Sequence, residues 1–417
     1  MKRRSFLATA LPATFAVPRK ASANDRIRLG FIGLGGRARW LLKNETFPGA
    51  EIVALADCFL PQCGEAAKLL PNGEKLPKYQ DYRRMLDREK LDGVFVETTT
   101  HARALISLHA MQAGLDVYAE KPMALTVEEG RVLVNAARYH RRILNTGTQQ
   151  RSIPANVYAS KLVRSGAIGR IREVLICNFE GPKTWVDQPA QSMPEGLDWD
   201  QWCNQTALRP YHPELQRRWA WYSDYDGGGQ SWGVTGWGTH SLDQMQCALG
   251  TDDTGPVEIW PEARPADPKI PVPMTMRYGN GVVVKMHGAR RDHADLGAIF
   301  VGEKGRIEIK RGSFTVEPWD LDQVLRCNAP PDTEEGPGEN SFHLTNFLES
   351  MRSRKLPNAD VEIGHRSTTV CILVNLARQF NRKLAWDPKA EQFVNDAEAN
   401  AGLRRERRKG YQLPRVG

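Results

Sequence analysis

The run Gly33-Leu34-Gly35-Gly36-Arg37-Ala38 decides how this chain is read. Residues 26–32 before it alternate and then turn apolar, as an opening β-strand does, and residues 37–42 after it read as a helix. In such a strand–turn–helix the first glycine permits the tight turn. The second lets the backbone approach a pyrophosphate, the small third residue packs helix on strand, and the helix N-terminus holds the phosphates. Alone, a G-x-G-x-x-A run is a weak signal. Here residues 51–57 follow as a second strand ending in Asp57, 24 residues after Gly33. An acid at that place hydrogen-bonds the adenosine ribose hydroxyls and repels a 2′-phosphate, which predicts NAD in preference to NADP. Gly33, Gly35, Gly36, Arg37, Ala38 and Asp57 are therefore candidate cofactor contacts.

The alternation continues outward from this unit. Helices near 61–70 and 81–87, a strand at 93–97, a helix at 102–113 and a strand at 116–119 follow in turn. A helix at 126–140, capped by Thr126 with Glu129 three residues on, leads to a strand at 143–146. The β-α alternation over 27–147 predicts a doubly wound parallel sheet in a dinucleotide-binding domain, residues 24–147. Its fifth strand ends at Glu120-Lys121-Pro122. Pro122 fixes its own φ and pushes Lys121 toward an extended conformation. A lysine at the carboxyl end of a strand, where open α/β sheets bind ligands, can act on a substrate with a pKa lowered by burial. A surface lysine closing a strand is the other reading.

Gly147-Thr148-Gln149-Gln150-Arg151-Ser152 reads as the crossover into a second domain, residues 148–417. A helix at 156–165 precedes strands at 170–180, 257–260, 272–278, 281–288, 298–302, 305–311 and 313–317. The turn Tyr278-Gly279-Asn280-Gly281 joins two of them as a hairpin. This half reads as α+β with a largely antiparallel open sheet, a surface loop at 329–340, and helices at 341–354 and 363–381 packing back on the fold. The arginines at 404, 405, 407 and 408 read as a solvated helix face. Seven of the eleven tryptophans fall between Trp185 and Gly250, in Gly/Asp-rich sequence where aromatic faces suit the C–H faces of sugars. Within it, Gly236-Trp237-Gly238-Thr239-His240 is followed by Asp243, an acid three residues on along one helix face, which makes an acid/base and orienting pair. Gln149, Arg151, Trp237, His240 and Asp243 are the candidate substrate contacts.

The formal charge of +8 falls to +3 without Lys2, Arg3, Arg4, Arg19 and Lys20, so the basic balance gives nucleic-acid binding little support. Residues 1–23 have the layout of an export signal: a twin-arginine n-region, an apolar stretch at 6–17 too short to span a bilayer, and Ala21-Ser22-Ala23 as a cleavage site. This predicts a periplasmic or otherwise exported protein with no membrane insertion after signal removal. The resemblance to twin-arginine signals implies export after folding, with a cofactor already bound. Seven scattered cysteines show no metal-ligand spacing, and no metal is expected.

Taken in order, Gly33-x-Gly35-x-x-Ala38, Asp57, Thr98 to His101, Glu120-Lys121-Pro122 and Gly238-Thr239-His240-Ser241-Leu242-Asp243 resemble the Gfo/Idh/MocA family of NAD(P)-dependent sugar and polyol oxidoreductases. The resemblance spans essentially the whole chain after residue 23. It implies that Lys121 touches nicotinamide and substrate, that His240 is the acid/base on the reacting hydroxyl, and that Asp243 lines the substrate site. Thr98, His101 and Glu120 join the expected cofactor contacts, and a homo-oligomer is expected. The dehydrogenase members carry an aspartate four residues before the histidine, where this chain has Gly236. The family also includes NAD-dependent glycosidases, which oxidise a sugar hydroxyl transiently, eliminate the aglycone, add water and re-reduce. Outside the cytoplasm no pool of free nicotinamide cofactor is expected, which favours NAD held tightly through a complete cycle. The sequence thus points to an exported, NAD-dependent sugar or polyol oxidoreductase, with a glycoside hydrolase or lyase and a non-catalytic sugar-binding protein as alternatives.

Overall fold

The computed structural model describes residues 26–264, 267, 270–288 and 296–416, and the expected export signal lies outside these. The first domain carries strands β1 (Ile27–Ile32), β2 (Ala50–Ala56), β3 (Lys78–Tyr79), β4 (Gly93–Val96), β5 (Asp116–Ala119) and β6 (Leu144–Thr146). Between them run helices α1 (Gly36–Asn44), α2 (Pro61–Ala67), α3 (Tyr82–Arg88), α4 (Thr100–Gln112) and α5 (Val127–Tyr139). The strands order as β3-β2-β1-β4-β5-β6, every pair parallel. Every residue of β4 and β5 is buried, because helices cover both faces of a parallel sheet and its central strands become continuous apolar runs. The order reverses between β1 and β4, and that switch point opens the crevice in which such sheets bind ligands.

The second domain begins with α6 (Pro154–Arg164) and β7 (Ile171–Cys177), then α7 (Trp199–Cys203), α8 (Pro213–Arg218) and α9 (Trp237–Leu249). There follow β8 (Pro256–Pro261), β9 (Met274–Tyr278), β10 (Val283–Gly288), β11 (Ala298–Gly302), β12 (Arg306–Lys310), β13 (Ser313–Glu317) and α10 (Trp319–Arg326). The chain closes with α11 (Ser341–Ser353), α12 (Val361–Phe380), β14 (Leu384–Asp387), β15 (Gln392–Phe393) and α13 (Ala397–Ala401). Its nine-stranded sheet, β13-β12-β11-β7-β10-β9-β8-β14-β15, is antiparallel apart from the parallel β7–β10 pair. The β9–β10 hairpin turns where expected: Gly281 has φ +89° and donates to the Tyr278 carbonyl at 2.9 Å. In β12, Ile307 and Ile309 point inward while Arg306 and Lys310 point out, the alternation that faces one side of a sheet to its core. α6, α9 and α12 cover that inner side.

One feature gives the expected return of the 341–354 helix its address, and another departs from the sequence reading. Leu344, Phe347, Leu348 and Met351 of α11 pack on Phe31, Phe95 and Tyr118, so a helix from the far end of the chain completes one face of the first sheet. Each such buried side chain contributes roughly 1.5–3 kcal/mol. The arginine-rich tail is not a helix face in solvent. It runs as an irregular strap after α13, in which Arg405 donates to the Ser223 and Asp224 carbonyls at 2.7 and 2.9 Å. Arg408 donates to the Asp200 and Asn204 carbonyls, and Arg407 pairs with the buried Glu129. Carbonyls left open by irregular backbone need donors, and these guanidinium groups supply them.

Candidate active site

A cavity of about 530 Å³ opens at the carboxyl ends of β1, β4 and β5 and is roofed by the tryptophan-rich segment of the second domain. Its floor is the glycine turn. Gly33 has φ +84°, and a Cβ there would sit 2.8 Å from the Thr98 backbone nitrogen, so glycine alone fits. Gly35 is the N-cap of α1 with no capping side chain, and a Cβ on Gly35 or Gly36 would meet nothing within 4 Å. The first N–H groups of α1 are thus presented to open space, as a bound pyrophosphate requires. Ala38 lies in the core beneath, packing α1 on the sheet without reaching the cavity.

Asp57, at the end of β2, lines the same cavity. Its Oδ2 accepts from the Leu34 N–H at 2.6 Å and its Oδ1 from the Phe59 N–H at 2.8 Å, so the acid also ties the glycine turn to β2. Thr98 lines the wall at the end of β4. His101 does not reach the cavity. It is fully buried in α4, its Nε2 sits 2.8 Å from the Trp202 carbonyl, and its ring meets Tyr225 edge-on. Burial lowers its pKa to about 4, so it is a neutral prop for the roof, where a cofactor contact was expected.

Charge is concentrated where β5 ends. Arg37 Nε donates to Glu120 Oε1 at 2.7 Å, and its Nη2 donates to the Asn340 side chain at 3.2 Å. Burial opposes ionisation of Glu120, but Arg37 and Lys121 hold its pKa below the ordinary value. Glu97, at the end of β4, also lines the cavity, and both its carboxyl oxygens are buried without a partner among the described residues. Burial, reinforced by Glu120, raises its pKa well above the ordinary value, so the fold favours the protonated form of Glu97.

The Lys121 ammonium points across to the second domain and donates to the Gly236 carbonyl at 2.9 Å. The Lys121–Pro122 peptide is cis. Burial lowers the lysine to about 8, against the raising effect of the Glu120 and Asp226 carboxylates. His240 faces the same cavity from the first turn of α9. Its Nδ1 is buried without a partner among the described residues, which leaves Nε2 as the nitrogen open to the cavity. Burial, with Arg311 and Lys121 adding to it, holds the imidazole well below its ordinary pKa, so it is neutral.

Of the other expected substrate contacts, the structure brings Gln149 and Trp237 to the cavity and leaves Arg151 and Asp243 outside it. Arg151 Nε donates to both Asp243 oxygens at 2.8–2.9 Å, and its Nη2 reaches Asp252 at 2.7 Å. Asp243 also accepts from the Ser367 hydroxyl at 2.6 Å. The acid three residues past His240 is therefore consumed by a buried ion pair and cannot orient the imidazole. Of the seven tryptophans, Trp202, Trp219 and Trp237 line the cavity, whereas Trp185 and Trp199 are packed in a small core beneath the roof. Trp199 stacks on Trp202 with centroids 4.3 Å apart. Glu97, Asp226 and Arg311 also line the cavity, and no motif had singled them out. For Asp226 a signal was available in the Gly227-Gly228-Gly229 bend that follows it, where Gly228 has φ +91°.

Comparison with known proteins fits this geometry. Residues 27–148 match the family model described as the oxidoreductase family, NAD-binding Rossmann fold, and residues 155–413 match its C-terminal alpha/beta domain. The chain belongs to the Gfo/Idh/MocA oxidoreductase family. Among curated relatives, a glycosyl hydrolase family 109 protein of Bacteroides fragilis is 32% identical over 126 residues, covering 28% of this chain and 27% of that protein. A levoglucosan dehydrogenase of Pseudarthrobacter phenanthrenivorans is 33% identical over 91 residues, 22% of this chain and 23% of its own length. The chain thus matches about a quarter of the length of these relatives. A WlbA dehydrogenase from Bordetella pertussis, solved with NADH and UDP-GlcNAcA, shares the fold at a TM-score of 0.60 and 18% identity, covering 87% of this chain and 99% of that one. The first domain is accordingly the NAD-binding Rossmann domain of a Gfo/Idh/MocA protein, and its glycine turn, Asp57 and the open N-terminus of α1 fit a dinucleotide.

Proposed function

We propose that this protein is an exported sugar or polyol oxidoreductase that retains NAD, in preference to NADP, through complete catalytic cycles. The observation that carries the reading is the convergence of Lys121 and His240 on one cavity whose floor is the dinucleotide turn. Bound NAD would supply the hydride acceptor and donor. The neutral His240 imidazole takes the proton of the reacting hydroxyl at Nε2, and its lowered pKa leaves it unprotonated and ready at neutral pH. The Lys121 ammonium faces the oxygen on which negative charge develops and stabilises it in a site shielded from water. Trp202, Trp219 and Trp237 offer apolar faces for a sugar ring. Asp57 would meet the ribose hydroxyls and disfavour a 2′-phosphate. The twin-arginine-like residues 1–23 support export, where a freely exchanging cofactor would not be replaced.

A second reading has its own support. The glycosyl hydrolase family 109 relative, together with Gly236 at the place of the expected carboxylate, favours glycoside cleavage by the same residues with no net redox change. The experiment that separates the two incubates purified protein with neutral sugars, polyols and aryl glycosides. Oxidation or sugar-to-sugar exchange of reducing equivalents supports the first reading. Aryl alcohol release without NADH accumulation overturns it in favour of the second.

A further inference from the structure

Asp226 is a buried acid in the wall of the cavity, 10 residues ahead of Gly236 in sequence. The segment around it is irregular, and the Gly227-Gly228-Gly229 bend turns the chain back so that Thr235 lies against it. Asp226 Oδ1 accepts from the Thr235 hydroxyl, and Oδ2 accepts from the Thr100 hydroxyl of α4. Thr235 directly precedes Gly236, whose carbonyl receives the Lys121 ammonium at 2.9 Å. The acid and the lysine are thus fixed to neighbouring points of one short segment, and both open on the cavity. Two threonines of different domains hold the carboxylate. Neither supplies a positive charge: burial raises the acid's pKa, the two hydroxyls oppose that rise, and Arg103 and Lys121 are the cations that favour its charged form.

We propose that Asp226 is the positioning carboxylate of this site: clamped by Thr100 and Thr235, it keeps the Lys121 ammonium charged and directed at the substrate oxygen. The surroundings of both groups bear this out. Lys121 is faced by Glu120 beside it, by Arg37 from α1, by Arg311 from the loop after β12, and by Asp226. His240 of α9 and Cys371 of α12 also feel its charge. Asp226 is faced by Arg103 of α4 as well as by Lys121. Two cations beside Lys121, Arg37 and Arg311, disfavour its protonation, and Glu120 is already bound to Arg37 at 2.7 Å. Asp226 is the remaining carboxylate with an effect on the lysine. The role extends the reading of Lys121 as the working cation and rests on it.

The test follows the titration of Lys121 itself, without any turnover. Reductive methylation of the intact protein with formaldehyde and a borohydride reagent is run across a pH series. Peptide mass spectrometry then gives the midpoint at which Lys121 becomes reactive. In the unaltered protein that midpoint is expected at about 8. In Asp226→Asn it is expected to fall by roughly one pH unit, because an opposite charge nearby is lost. Asp226→Ser, which keeps a hydroxyl between the two threonines, serves if the asparagine variant does not fold, with the same fall expected. A midpoint that stays at the wild-type value in a folded variant overturns the proposal. Failure of the oxidoreductase reading would appear separately, as absence of NAD-dependent turnover with the lysine titration intact.

Discussion

Lys121 Nζ lies 2.9 Å from the carbonyl oxygen of Gly236, a direct hydrogen bond between the end of the fifth Rossmann strand and the residue that caps α9. It joins the two domains across the cavity and sets the lysine within one turn of His240. The ammonium is therefore held in place before any substrate arrives. Lys121→Met keeps the aliphatic stem and removes the charge. Turnover is expected to fall by about two to four orders of magnitude, while NADH affinity, followed by fluorescence titration, changes little.

The acid–base pair gives a one-sided pH profile. His240 is held well below its ordinary 6.5, so it contributes no acid limb near 6.5. Lys121 loses its proton near 8, so kcat/KM is expected to decline above a pH of about 8. A profile with an acid limb near 6.5 and a flat alkaline side would assign the roles wrongly.

Glu97 makes a stability prediction of opposite sign to that of an ordinary ion-paired acid. Its folded-state pKa is raised above the unfolded value, so the folded protein binds the proton more tightly. Its burial therefore destabilises the fold increasingly as pH rises through the unfolded value near 4.5. Glu97→Gln mimics the protonated form. Its melting temperature is expected to match wild type near pH 4 and exceed it at pH 8, as scanning calorimetry would read.

Arg151 and Asp243 are 3% and 1% exposed at their side chains, which makes their pair structural. Burial disfavours the guanidinium charge, but Asp243 and Asp252 more than offset this and hold Arg151 above its ordinary pKa. Asp243→Asn leaves a buried charge short of a partner and is expected to cost about 3–5 kcal/mol in chemical denaturation. The NADH affinity of the folded fraction should be unchanged. A loss of sugar binding with full stability would instead return Asp243 to the substrate site.

The unit from β1 to α1, Asp57 and the Lys121 strand end are local patterns, each carried by a few consecutive residues, and they lie where the reading put them. Long-range partners were out of reach. Asp243 looked like an orienting acid because it is three residues from His240, while the arginine that takes it is 92 residues away in sequence. The family resemblance implies a cofactor contact at His101, but its ring turns inward to a tryptophan 101 residues on. The arginine-rich tail reads as a solvated face because its acceptors, the carbonyls of an irregular roof, have no signature in sequence. For Asp226 the glycine bend after it is the one local signal, while its contacts with Thr235 and Thr100 appear only in the fold.

The strap gives a prediction that sequence alone would not have suggested. Arg405→Ala strips the donors from the Ser223 and Asp224 carbonyls and is expected to cost about 1–3 kcal/mol. It should also speed NADH release, because those residues lead into the roof over the cavity. Stopped-flow displacement of NADH from the variant and the unaltered protein checks this.

The central claim, a dinucleotide held beneath Lys121 and His240 through the whole cycle, is tested most directly by the cofactor content of the purified protein. Protein isolated without added nucleotide is dialysed exhaustively, denatured, and its supernatant assayed for NAD and NADP. The account predicts close to one NAD per chain and almost no NADP. A protein that emerges from dialysis free of nucleotide would contradict it.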